Sequence, residues 1–259
     1  MAPPKKPTLS PTRILTYLEC PMKYRYIYVD RIGRYYLHAL PQFSLGSSLH
    51  RALQDFHAEG TALTREQLVE RLQQSWIPAG FADQTEEEAF RRAAQEMVEA
   101  YHSVGQERVE SGIEILFLEK ILRTDMGRFL LMGRVDRVDR HPDGSLEIID
   151  YKSGRLAVAP EDVAEDLAMG IYQLILRRLY PGTRVFATIY CLRTGVHASA
   201  EMRSEEAEEF AARITVLGEE IVFRDYEGVV PVRIPACEEC PFRRRCEAFW
   251  RRERAVASY

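Results

Sequence analysis

The chain has 259 residues, 46% of them hydrophobic and 29% charged, with a formal net charge of −4. That is enough apolar material for one large α/β domain or two small ones, and the acidic balance excludes a global basic field, so a nucleic-acid partner must be held by local patches. The opening MAPPKKPTLS lacks the apolar core of a secretory signal; no run of ~18 apolar residues offers a membrane span, so a cytoplasmic protein is expected.

Of the 35 basic residues only five are lysine. The bias reflects either genomic base composition or the fit of arginine forks to phosphate; either way, a lysine inside a strand is an unusual choice here. Five cysteines in a reducing compartment are expected as free thiols or metal ligands rather than disulfides.

Ser10-Pro11 starts the first helix, Ser as N-cap and Pro at the first helical position. Ile14, Leu15 and Leu18 form its apolar stripe, and Cys20-Pro21 ends it. A second helix is expected over 46–58, and two more within 64–102, broken near 77–80, as a helical insertion of about 60–110. The apolar period then changes from 3.6 to 2. Strands are expected at 113–122, 129–140 and 146–152, the last two joined by the turn His141-Pro142-Asp143-Gly144. A helix over 162–180 stops at Pro181-Gly182, followed by strands at 185–192 and 196–203 and a helix at 204–224. The tail from Ile234 is cysteine-rich. With no internal repeat, residues 1–259 read as a single domain closed by a cysteine segment at about 234–252.

The stretch EIIDYKSG at 147–154 carries the chemistry. Side chains alternate along a strand, so Ile148, Asp150 and Lys152 share one face. Pairing Arg140 with Ser145 sets position 136 opposite Ile149, and one bulge moves it opposite Asp150. Two carboxylates across a hairpin repel unless a cation lies between them, and oxygen ligands suit Mg²⁺ or Mn²⁺. Lys152 beside such a cation can stabilise charge developing on a phosphate. The competing reading is a solvated face, with Asp136 or Asp139 paired to neighbouring arginines.

GRVDRVD (133–139) followed by IIDYKSG (148–154) resembles the core of the PD-(D/E)XK nucleases, in the branch of the RecB and AddB nuclease domains and the CRISPR-associated adaptation nucleases. The resemblance implies a restriction-endonuclease-like α/β fold, a mixed β-sheet flanked by helices. It implies Asp136, Asp150 and Lys152 as catalytic residues. The metal ligands would be Asp136, Asp150, the Tyr151 backbone carbonyl and His50, which stands in GSSLH as the branch's Gly-x-x-x-His; His57 is the weaker candidate. The branch's Gln-x-x-x-Tyr helix, which contacts DNA or supports the site, maps onto Tyr172 as a DNA-binding residue, but Ala168 occupies the glutamine position and Gln173 follows the tyrosine.

In the tail, Cys237-x2-Cys240-x5-Cys246 leaves a tetrahedral metal one ligand short. Cys20, followed by Pro as Cys240 is, is the expected fourth ligand, and Cys191, inside an apolar strand, a buried thiol. Spacing permits zinc or iron–sulfur and leans to the latter. The resemblance implies a [4Fe–4S] cluster joining the two chain ends. Arg243, Arg244, Arg245, Arg251 and Arg252 form either a phosphate-binding patch or a solvated helix face paired with Glu247 and Glu253.

The expected function is a Mg²⁺- or Mn²⁺-dependent DNA exonuclease on single-stranded or frayed ends, in repair, recombination or CRISPR adaptation, with helicase or adaptation proteins as partners. Two rivals are a catalytically silent DNA-end-binding subunit and a zinc-stapled RNA-binding module. The intact His50, Asp136, Asp150 and Lys152 set argues against the first, and the lack of aromatic RNP-type motifs against the second.

Overall fold

The structure, a computed structural model, describes residues 6–256, with side chains as far as residue 251. A six-stranded mixed sheet forms the centre. Its long middle strand β3 (Leu130–Arg140) pairs along one edge with β2 (Glu114–Asp125), antiparallel. On its other edge β3 meets β1 (Thr8–Leu9), parallel, at its start and β4 (Leu146–Lys152), antiparallel, at its end. β4 runs parallel to β5 (Val185–Cys191), and β6 (His197–Ala200) closes the sheet antiparallel to β5.

One face of the sheet packs on α1 (Pro11–Glu19), α7 (Leu167–Leu179) and α8 (Ser204–Phe223), with Val135, Val138, Ile148, Ile171, Ile175 and Ile189 in the core. The other face buries Ile149, Tyr151 and Tyr190 beneath α3 (Pro41–Ala58), α4 (Arg65–Ser75) and α5 (Gln84–Glu110). β4 thus alternates between two cores, as a strand covered on both faces must. A short helix, α2 (Pro21–Tyr24), runs into a single π-turn at Arg25–Val29. α6 (Pro160–Glu165) precedes α7, and α9 (Arg243–Val256) is the last element among the described residues. No helix among the described residues is long and apolar enough to cross a membrane.

The differences from the sequence expectation have local causes. α3 begins at Pro41, five residues before the expected start, because Pro41 pre-sets the first helical φ and Gly46 lies inside the helix rather than at its cap. The helix expected over 162–180 is two, since the Asp166 side chain accepts from Ala168 N (2.9 Å) and Met169 N (3.2 Å) and restarts it. α5 runs to Glu110 rather than 102, and the two-residue β1 was not expected.

Candidate active site

β3 and β4 bring the carboxylates together. Arg137 pairs with Ile149, so the register carries Asp136 to the level of Asp150, the bulged alternative of the hairpin estimate. The Tyr151 backbone N–H donates to Asp136 Oδ2 (2.9 Å) and fixes that carboxylate against β4. α3 lies over this point and presents His50. Its Nδ1 is 3.1 Å from Glu119 Oε1 and 3.2 Å from Asp136 Oδ1, and its Nε2 is 3.2 Å from the Tyr151 carbonyl oxygen. His50, Glu119 and Asp136 each offer an atom within 4.8 Å of the others. The two carboxylates are hard oxygen donors that suit Mg²⁺ or Mn²⁺, and the imidazole Nδ1 between them adds a borderline ligand.

Glu119 was not anticipated. It sits in β2 with φ at 46°, a left-handed conformation that costs a non-glycine residue roughly 1–2 kcal/mol. There its carboxylate is nearly buried and also pairs with Arg134 Nε at 2.7 Å. The only sequence signal is a Glu-Lys interruption in the apolar run ILFLEKIL. Burial alone would lower the His50 pKa. The hydrogen bonds and charges of Asp136 and Glu119 override it and raise the ring to about 10, so without a metal the imidazole holds a proton between the two acids.

Asp150 lies beside this group on the α7 side of β4. Burial and the neighbouring Asp136 charge push its carboxyl up to about 6, against the opposing pull of Lys152. Lys152 Nζ is 2.6 Å from Asp150 Oδ2, a close ion pair at the edge of the site. Burial would also lower the Lys152 pKa, but the charges of Asp150 and Asp136 raise it, so the ammonium persists.

Tyr172 is nearly buried, lies against Gly133 so closely that a Cβ there would meet its ring at 2.4 Å, and feels the charges of Asp150 and Asp136. It backs the site from α7. Gln173 does not enter the site; its Oε1 accepts from Met202 N (2.9 Å) and anchors the stretch that follows β6.

His57 does not join the metal group. It is buried beneath α5, with Nε2 3.1 Å from Tyr101 Oη and 3.2 Å from Tyr151 Oη. Burial and the Arg137 and Arg108 charges hold it well below the usual histidine range, and therefore neutral. Nor is Asp139 a solvated acid. It is completely buried against Arg137 Nε (2.5 Å) and Arg108 Nη2 (3.1 Å), and Arg108 also reaches Glu147. This network clamps the Tyr151 side chain on the face opposite Asp150.

The cysteines gather at the chain ends. Cys20 and Cys240 help cover a small cluster of Met22, Tyr26 and Phe242, as does Cys246. The Cys246 thiol is raised to about 11 by burial and by the neighbouring Cys240, Cys20 and Cys237. Cys20 Sγ accepts from Lys23 N and Cys237 Sγ from Ile234 N, each at 3.4 Å. A bound metal would relieve the mutual repulsion of thiolates at this point. Cys191 is buried in β5, away from the four. In the basic patch, Arg243 and Arg251 both pair with Glu247, at 2.9 and 3.9 Å, and Arg245 lies over the Tyr26 ring. Arg244 makes no ion pair among the described residues; the side chains of Arg252 and Glu253 lie outside them.

Residues 8–247 match the pattern of the PD-(D/E)XK nuclease superfamily, and the chain belongs to that superfamily of nuclease hydrolases. No curated protein matches the chain. Among solved structures it is similar to the crystal structure of SSO0001, at 13% identity and a TM-score of 0.33, covering 76% of this chain and 82% of that one. It is also similar to protein VC1899 from Vibrio cholerae, at 12% identity and a TM-score of 0.28, covering 83% of this chain and 58% of that one.

Proposed function

We propose that the chain is a Mg²⁺- or Mn²⁺-dependent deoxyribonuclease acting as an exonuclease on single-stranded or frayed DNA ends, in the RecB/AddB manner. The observation that carries this reading is the convergence of His50, Glu119 and Asp136 beside the Tyr151 carbonyl, with the Asp150–Lys152 pair alongside. His50, Glu119, Asp136, Asp150 and the Tyr151 carbonyl would hold the divalent ion, which supplies Lewis acidity towards the phosphate. Lys152 places its ammonium against a non-bridging oxygen and stabilises the charge that builds there. The carboxylates of Asp136 and Asp150 orient the attacking water. Its oxygen bonds to phosphorus and gives up a proton to solvent while the bond to the leaving sugar oxygen breaks, and that oxygen takes up a proton from solvent.

Cys20, Cys237, Cys240 and Cys246 would bind a [4Fe–4S] cluster as a staple between the chain ends. The split spacing, Cys20 followed by Pro with Cys237-x2-Cys240-x5-Cys246, is the feature that favours the cluster over zinc. Helicase subunits or CRISPR adaptation proteins, in the cytoplasm, are the partners the family resemblance suggests.

The test is digestion of end-labelled single- and double-stranded DNA with Mg²⁺, Mn²⁺ or EDTA. Metal-dependent release of short products from single-stranded ends supports the reading. Intact substrate under every condition would overturn it.

A further inference from the structure

The cleft that reaches His50, Glu119 and Asp136 has a volume of about 360 Å³, the scale of a nucleotide, and α3 forms one whole wall of it. Along that wall stand Gln42, Phe43, Gly46, Ser47, His50, Arg51 and Gln54, at the spacing of a single helix face. Three features of this wall are not accounted for by the packing of α3 among the described residues. Phe43 is 68% exposed although Leu45, Leu49, Leu53 and Phe56 of the same helix are buried. Gly46 is helical, and a Cβ there would meet nothing closer than Ser153 Oγ at 3.9 Å; mid-helix glycine nonetheless costs stability relative to alanine. Arg51 is exposed and makes no ion pair among the described residues.

Together they fit one kind of ligand. Phe43 lies seven residues before His50, ~10.5 Å along the axis at 1.5 Å per residue, which is one or two nucleotides from a phosphate held at the metal group. The missing side chain at Gly46 leaves room between them for a sugar–phosphate backbone, and Arg51 supplies a guanidinium for its charge. An exposed aromatic ring beside a guanidinium, here Phe43 with Arg51 in the same cleft, is a way proteins hold unpaired bases without reading their sequence. A paired base in a duplex stack does not offer its face.

We propose that Phe43 is the stacking platform for an unpaired nucleobase next to the scissile phosphate, with Gly46 and Arg51 admitting the backbone between ring and metal group. This rests on the nuclease reading of the same cleft and gives it a reason to prefer single strands.

The experiment measures binding, by fluorescence anisotropy with Ca²⁺ as the divalent ion, of a labelled single-stranded oligonucleotide. A second series carries one abasic site walked along the strand. Wild type, Phe43→Ala and Phe43→Trp are compared, and thermal melting confirms that the variants fold. Stacking contributions of this kind predict that Phe43→Ala binds the intact strand about 5- to 150-fold more weakly and Phe43→Trp does not. One abasic position should weaken wild type and leave Phe43→Ala unaffected. If wild type binds single strands and Phe43→Ala binds them equally well, the platform is wrong while the nuclease reading stands. If wild type neither binds nor cleaves DNA, both fall.

Discussion

The Tyr151 backbone N–H donates to Asp136 Oδ2 at 2.9 Å, so the middle strand's acid is tied to the strand that carries Asp150 and Lys152. One strand pairing therefore sets the relative positions of all three groups, while the Tyr151 side chain is anchored in the opposite core through Tyr101 Oη at 2.7 Å. Tyr101→Phe removes that hydrogen bond without touching the cleft. We expect a several-fold loss of cleavage rate, with metal affinity falling less than in Asp136→Ala. Mn²⁺ titration calorimetry beside single-turnover kinetics checks this, and an unchanged rate would limit Tyr101 to packing.

Glu119 should matter as much as the residues the sequence announces. Glu119→Gln keeps the shape and removes the charge. It should weaken Mn²⁺ binding about 10-fold or more, on the scale of losses at ligands and their immediate supports. Calorimetry at constant pH measures this, and wild-type affinity would remove Glu119 from the metal group.

Protons compete with the metal. His50 is held up to about 10 by the adjacent acids, in spite of its burial, and it must lose its proton to ligate. Mn²⁺ affinity should therefore rise with pH across the neutral range, with protons released on binding. Calorimetry in buffers of different ionisation enthalpy reads that release. Affinity that does not depend on pH would contradict a histidine ligand.

Asp150 links stability to pH with a definite sign. Its carboxyl titrates near 6 in the folded chain, mainly through burial, and near 3.8 when unfolded. The stabilisation tied to its proton is complete below 3.8 and is lost as pH rises through 6. Above pH 6 the metal-free Asp150→Asn protein should melt higher than wild type, by on the order of 1 kcal/mol, while losing at least ~10² in cleavage rate. Equal melting temperatures at pH 7 would mean that the carboxylate is better paired than the geometry indicates.

The cysteine staple predicts brown protein from anaerobic purification, with Cys20→Ser and Cys246→Ser equally bleached and Cys191→Ser unchanged. Iron and sulfide analysis decides between the candidates: zinc alone would leave a staple without a cluster, and no metal would remove both.

Much of the site was legible because a hairpin is a local object. The turn at His141–Gly144 fixed the β3–β4 register to within one residue, and alternation placed Asp150 with Lys152. Glu119 escaped because its left-handed backbone and the register shift between Ile115 and Phe117 break the period-2 pattern by which facing residues are found. The burial of Asp139 and Arg137 was equally hidden. GRVDRVDR reads as a surface, and the countercharge Arg108 comes from α5, 31 residues before Asp139. The helices over the sheet were visible as elements, and the Gly-x-x-x-His context of GSSLH separated His50 at the site from His57, which lies buried.

The central claim is that Lys152 acts on the phosphate while His50, Glu119, Asp136 and Asp150 bind the metal. The most direct test is the single-turnover rate of Lys152→Ala on a single-stranded oligonucleotide at saturating Mn²⁺, with Mn²⁺ affinity measured on the same protein. The account predicts Mn²⁺ affinity within a few-fold of wild type and a cleavage rate lower by at least ~10²–10³; cleavage at the wild-type rate would contradict it.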